Sequence, residues 1–143
     1  MIFNFNEIMT NPLDVLDRML SKINIFQSID YTININKDKL IKANQDYLRR
    51  GQDSKGISLG EYANFKYKKR FEPVDLYLTG DFYSSFDVIS NNGKVDVVAS
   101  DWKTDKLKSK YGDNILGVPN DYEVLRGSFL DGIIFNTRKQ LGI

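Results

Sequence analysis

Phe86-Asp87-Val88-Ile89-Ser90-Asn91-Asn92-Gly93-Lys94-Val95-Asp96-Val97-Val98-Ala99-Ser100 is the stretch whose reading decides the fold. Two runs rich in Val, Ile and Phe, Phe86 to Ser90 and Lys94 to Ser100, flank Asn91-Asn92-Gly93. Asn and Gly accept the positive φ that a tight hairpin turn demands, so these residues predict two antiparallel strands. Gly93 is expected at an exposed tip.

Toward the carboxyl terminus, Lys103 to Lys110 reads as a short helix stopped at Gly112. Asn120 with Glu123 forms a capping-box-like start. Leu125, Phe129, Ile133 and Ile134 then define a closing helix to about Gln140. Toward the amino terminus, Val74 to Leu78 reads as a short strand leading into Thr79-Gly80. That pair predicts a tight turn into a helix, with Thr79 as N-cap and Gly80 tolerating a close approach. Phe82, Tyr83 and Phe86 are expected to seat the turn on the sheet. Gly51 to Pro73 is a polar loop punctuated by Gly51, Gly56 and Gly60, with Tyr62, Phe65, Tyr67 and Phe71 as aromatic anchors.

Upstream of that loop, Asn36 is placed to cap a helix from Lys37 to Arg50. Leu40, Ile41, Tyr47 and Leu48 form its apolar face, and Gly51 stops it. Ile29, Tyr31, Ile33 and Ile35 alternate with polar residues, which is the period of a half-buried strand. An extended lead into the next helix is the other reading of that run. Asn11-Pro12 opens a first helix to about Phe26, with Leu13, Leu16, Leu20 and Ile23 at helical spacing and Val15 and Met19 widening the stripe. Asp14 and Asp17 suit its positive dipole end. The sum is an α+β chain: a small antiparallel β-sheet with a hairpin, packed against N-terminal and C-terminal helices. One domain is expected over residues 1–143, with a helical region over about 1–50.

Composition limits the chemistry. Of 143 residues, 41% are hydrophobic, enough for a packed core. The absence of cysteine excludes disulfides, thiolate metal sites and thiol nucleophiles. The absence of histidine removes the commonest general base and transition-metal ligand. A net charge of +1 provides no global field for nucleic acid or acidic lipid. Met1 to Thr10 lacks the pattern of a secretory signal, and no apolar run approaches the ~20 residues that span a bilayer. Synthesis and folding in the cytoplasm are expected.

Asp53, Asp75, Asp81, Asp87, Asp96 and Asp101 are scattered, with no calcium-loop spacing or close pair, and read as surface and capping acids. Gly51 to Gly56 superficially resembles a phosphate loop. It lacks the Gly-Lys-Ser/Thr ending and follows a helix, so it reads as a helix stop plus a turn. Ser84 and Ser85 have no lysine at S-x-x-K spacing to activate them. Catalytic, metal and cofactor residues are therefore expected to be absent, and the chain is not read as an enzyme. The basic run Lys66-Tyr67-Lys68-Lys69-Arg70 is the one charged feature with a functional reading. Lys66, Lys68, Lys69 and Arg70 could contact phosphates while the aromatics stack on bases, could form a solvated loop or strand edge where lysine discourages strand pairing, or could border an interface with an acidic protein partner. Reversing these charges is expected to disturb docking more than folding.

From Tyr47 to Val118 the sequence resembles a known family. Tyr47-Leu48-Arg49-Arg50-Gly51-Gln52-Asp53-Ser54-Lys55-Gly56 through Tyr62 is similar to the helix, D-x-x-G and aromatic segment of phage virion-morphogenesis and tail-completion (head–tail joining) proteins. The lysine-bearing segment at 66–70, Leu76-Tyr77-Leu78-Thr79-Gly80, the serine-containing turn at 81–86, the hairpin and Lys110-Tyr111-Gly112 follow in the family's order. Small structural-cluster proteins of Bacteroides-type phages look similar. The resemblance implies a structural subunit of a phage or prophage particle, at the neck or tail-attachment region. It also implies a homo-oligomeric ring, portal, adaptor or tail proteins as partners, and residence in the virion after synthesis in the bacterial host cytoplasm. The first helix and the carboxyl-terminal helix are the expected contact elements. The alternative function is a small nucleic-acid-binding accessory protein using Lys66 to Arg70.

Overall fold

The computed structural model describes residues 12–63, 68–119 and 123–143. The hairpin forms as expected, with β1 (Phe86–Asn91) antiparallel to β2 (Lys94–Ala99). Val88 stands opposite Val97 and Asn91 opposite Lys94. The loop residues Asn92 and Gly93 have φ of +53° and +75°, the two positive values of a type I′ turn. Phe86, Val88 and Val97 point inward and are buried. A two-stranded ribbon is marginal alone, and here α2 (Ile25–Ile35) and α3 (Lys37–Arg49) both pack on β1. The tip is not open as expected. A Cβ on Gly93 would lie 2.9 Å from Phe26 Cδ1, because α2 runs beneath the turn.

The amino-terminal reading needs correction. The first helix, α1 (Pro12–Ser21), stops short of Phe26, and Ile29 to Ile35 is helical rather than a strand. Asn24 explains the break: its side-chain oxygen accepts a hydrogen bond from Gln27 N (3.0 Å), which caps a new helix. Within α2, Ile29 and Ile33 lie one turn apart and join the core. Ser28 and Thr32 are buried too, on a second seam. Tyr31 and Ile35 are exposed. The apparent two-residue period was a superposition of one apolar and one small-polar helical stripe.

Asn36 occupies the N-cap position of α3, yet its side chain makes no cap bond. It donates instead to Thr32 O (2.8 Å), closing the end of α2. Leu40 and Leu48 are buried as expected, with buried Asn44 between them donating to Ile115 O (3.2 Å). Helix α3 ends on Gly51 in a Schellman motif: Gly51 N donates to Leu48 O (2.8 Å) and Gln52 N to Tyr47 O (3.0 Å). From Gly51 to Pro73 the described residues form no helix or strand, only isolated bridges at Gln52–Ser58 and Glu61–Pro73. Phe71 is exposed and Tyr62 half-buried, while Phe65 and Tyr67 lie outside the described residues.

Val74 to Leu78 is not a strand either. The Asp75 carboxylate accepts from Tyr77 N (3.0 Å), and Leu76 takes φ +55°, so local side-chain bonding displaces a ladder. The turn into α4 (Asp81–Ser84) places Gly80, not Thr79, at the N-cap, with φ +88° that favours glycine. Thr79 Oγ1 donates to Asp81 Oδ2 (2.5 Å). Phe82, Tyr83 and Phe86 are buried together, with Phe82 and Phe86 edge-to-face at 4.9 Å. A short helix α5 (Thr104–Tyr111) stops at Gly112, and α6 (Glu123–Leu141) closes the chain. Asn120 lies outside the described residues, as does the side chain of Leu125. Helix α6 packs on α2 through small residues: a Cβ on Gly132 would sit 2.7 Å from Thr32 Cγ2. Farther along, Gln140 Nε2 donates to Ser28 Oγ (2.8 Å).

Candidate functional site

The irregular 74–80 segment faces α5 across a cleft of about 220 Å³. Leu76, Leu78 and Phe82 line it together with Leu107 and Tyr111 from α5. Positions 103, 107, 110 and 111 share one helix face. That spacing carries Lys103 and Lys110 to the same cleft as Leu107. Trp102 precedes them and is 74% exposed, with the Lys103 and Lys106 ammonium groups each 5.4 Å from its ring.

Asp75 organises one end of the cleft. Its carboxylate accepts from Tyr62 OH (3.1 Å) and pairs with Lys68 Nζ (2.9 Å), while its carbonyl accepts from Tyr83 OH. Burial, and then the adjacent Asp75 charge, push the Tyr62 phenol up to about 12. The same causes raise Tyr83. Both phenols therefore stay protonated at neutral pH and act as donors, not bases.

The structure separates the members of the basic run. Lys68 is bound to Asp75 with only 27% of its side chain exposed, which ties it into the fold, whereas the sequence grouped it with its neighbours as one charged rim. Lys69 and Arg70 are exposed, with Arg70 4.7 Å from the Phe71 ring. Lys66 lies outside the described residues. Ser84 Oγ donates to Asp81 O (2.9 Å) and Ser85 Oγ to Phe82 O (2.7 Å), which uses both hydroxyls locally. Asp53 accepts from Lys55 N and Ile57 N, both at 2.9 Å, so the Gly51–Gly56 loop is a carboxylate-capped turn. Among the described residues no group of His, Cys, Asp or Glu is placed to hold a metal ion. No helix of those residues is long and apolar enough to cross a membrane.

A second surface is apolar. Helix α1 buries none of its ten residues. Leu16 and Leu20 are 50% and 54% exposed, with Met19 beside them. On α6, Leu130, Ile134 and Phe135 are exposed while Phe129 faces the core. Comparison with protein-family models, curated proteins and solved structures finds no match to this chain.

Sequence reasoning did not find the cleft. The lysines at 103 and 110 with Leu107 between them were a signal of one helix face, but the facing wall comes from a segment whose shape depends on Asp75.

Proposed function

We propose that this chain is a structural subunit of a phage or prophage particle, at the neck or tail-attachment region, working through ring-like self-assembly. The observation that carries the reading is α1. A helix of ten residues is too short to be stable in water by itself. Its Leu16, Met19 and Leu20 gain stability only when another surface covers them. The occupant is a second copy of this chain. Helix α6 presents Leu130, Ile134 and Phe135 as a separate apolar patch. Seating α1 of one copy on α6 of the next is a heterologous contact, which closes into a ring when the rotation allows. A net charge of +1 adds little repulsion between copies. The resemblance of residues 47–118 to tail-completion proteins supports the particle as the setting.

Light scattering after size-exclusion chromatography tests the assembly. The full chain is expected as a discrete oligomer, and a Leu16→Glu/Leu20→Glu variant as a folded monomer. A wild type that stays monomeric at high protein concentration would falsify the reading. The setting is tested by antibody labelling of purified particles of the encoding phage, where signal at the neck is expected and its absence removes the virion assignment.

A further inference from the structure

We infer that the cleft between the 74–80 segment and α5 receives one apolar side chain carried on an acidic segment of a partner protein. This goes beyond self-assembly and uses none of the residues assigned to it. Size is the first argument. A volume of about 220 Å³ falls below the roughly 300–1,000 Å³ of pockets that enclose a drug-sized ligand. It suits a single large side chain. The walls are the second argument, since Leu76, Leu78, Phe82 and Leu107 offer apolar contact. A nucleobase needs partners for its polar edge, and of the polar groups lining the cleft the Tyr62 hydroxyl and Lys68 ammonium are committed to Asp75 and the Thr79 hydroxyl to Asp81.

Charge selects the rest of the segment. Lys68 is neutralised by Asp75, but Lys103 and Lys110 form no ion pair among the described residues. Seven positions apart on a helical face, their stems are separated by about 10 Å. A peptide in the polyproline II conformation covers that span in about three residues at ~3.1 Å each and returns residue i+3 to the face of residue i. Two carboxylates three positions apart, with an apolar residue between them, therefore match both ammonium groups and the slot at once. Exposed Trp102 beside Lys103 supplies the kind of rigid aromatic anchor that concentrates binding energy at interfaces. Three lysines on this helix edge, Lys103, Lys106 and Lys110, are a short footprint for a nucleic-acid backbone.

The probe is a blocked hexapeptide, Gly-Glu-Phe-Gly-Glu-Gly, titrated into the isotope-labelled full chain at low salt and followed by amide NMR shifts. Saturable shifts are expected at Leu78, Lys103, Leu107 and Lys110. Replacing the peptide's Phe by Ser is expected to weaken binding by more than about ten-fold. Lys103→Gln or Lys110→Gln is expected to weaken it by up to about five-fold. Leu78→Ser, at an exposed position, is expected to weaken binding without changing the melting temperature. Absence of saturable shifts, equal binding of the Ser peptide, or tighter binding of an oligothymidylate to the same amides overturns the proposal. Because self-association is read on Leu16 and Leu20, either result here leaves that reading to its own test.

Discussion

Single residues tie distant segments together, and Asp30 shows how. Its carboxylate, on α2, accepts from the Ser90 hydroxyl and from the backbone N–H groups of Asn92 (3.1 Å) and Gly93 (3.0 Å). The bond from Ser90, followed by that from Gly93, holds its pKa below the ordinary carboxylate value. A carboxylate depressed in the folded state contributes stability above its unfolded pKa and loses it as pH falls through the folded pKa. Asp30→Asn is therefore expected to melt below wild type at neutral pH, with the gap closing below about pH 4. A gap unchanged by acid, in thermal melts followed by circular dichroism, would count against this role. Lys68 and Lys69 make a second test at this scale. Lys68→Glu places a carboxylate beside Asp75 in a pair only 27% and 20% exposed, and is expected to cost about 1–2 kcal/mol in urea unfolding. Lys69→Glu, on an exposed side chain, is expected to stay within about 0.5 kcal/mol of wild type. The sequence placed both lysines in one basic run and could not distinguish them. The distinction depends on Asp75, seven residues on, turning back toward Lys68.

At the scale of elements, α2 and α6 decide how closely the molecule packs. Gly132 lets α6 approach Thr32, whose Cγ2 would lie 2.7 Å from an added Cβ. Gly132→Ala is expected to lose about 1–3 kcal/mol despite its better helix propensity, because Thr32 is fully buried and stiff. Thr32→Ser removes the clashing methyl and keeps a hydroxyl for Ser28 O, so it should restore part of the loss. Gly127, five residues earlier in α6, has nothing within 4 Å of its Cβ position. Gly127→Ala is expected to gain roughly 0.5–1 kcal/mol. Equal effects of the two alanines on the urea midpoint would mean that the close approach at Gly132 is not a constraint. The helical period of α3, the hairpin and α5 were legible because local chemistry and burial agree there. Helix α2 was misread because Ser28 and Thr32 look like a solvent face in sequence. In the fold they lie against Gly132, Thr137 and Gln140 of α6, a hundred or more positions away.

For the whole molecule, the question is which apolar surface remains once the chain has folded. If α1 is covered by a second copy, the melting temperature is expected to rise with protein concentration, as for any folded state stabilised by association. Leu16→Glu is expected to abolish that dependence while leaving the low-concentration melt nearly unchanged, since α1 buries none of its residues in the single chain. A concentration-independent wild type would separate α1 from assembly. Several properties were determined by the sequence alone. Asn92-Gly93 set the turn, because both residues accept the positive φ that a type I′ hairpin loop requires. Gly51 and Gly112 set helix ends, and the apolar spacing of α3 set its inner face. The absence of histidine and cysteine limited the available chemistry before any fold existed. Tertiary structure decided the rest. It assigned Lys68 to Asp75, buried Ser28 and Thr32 beneath α6, and left Leu16 and Leu20 uncovered. It also joined the 74–80 segment to α5 as a cleft. The physical reason is that residue spacing fixes which side chains share a face, whereas what meets that face depends on contacts between segments far apart in the chain.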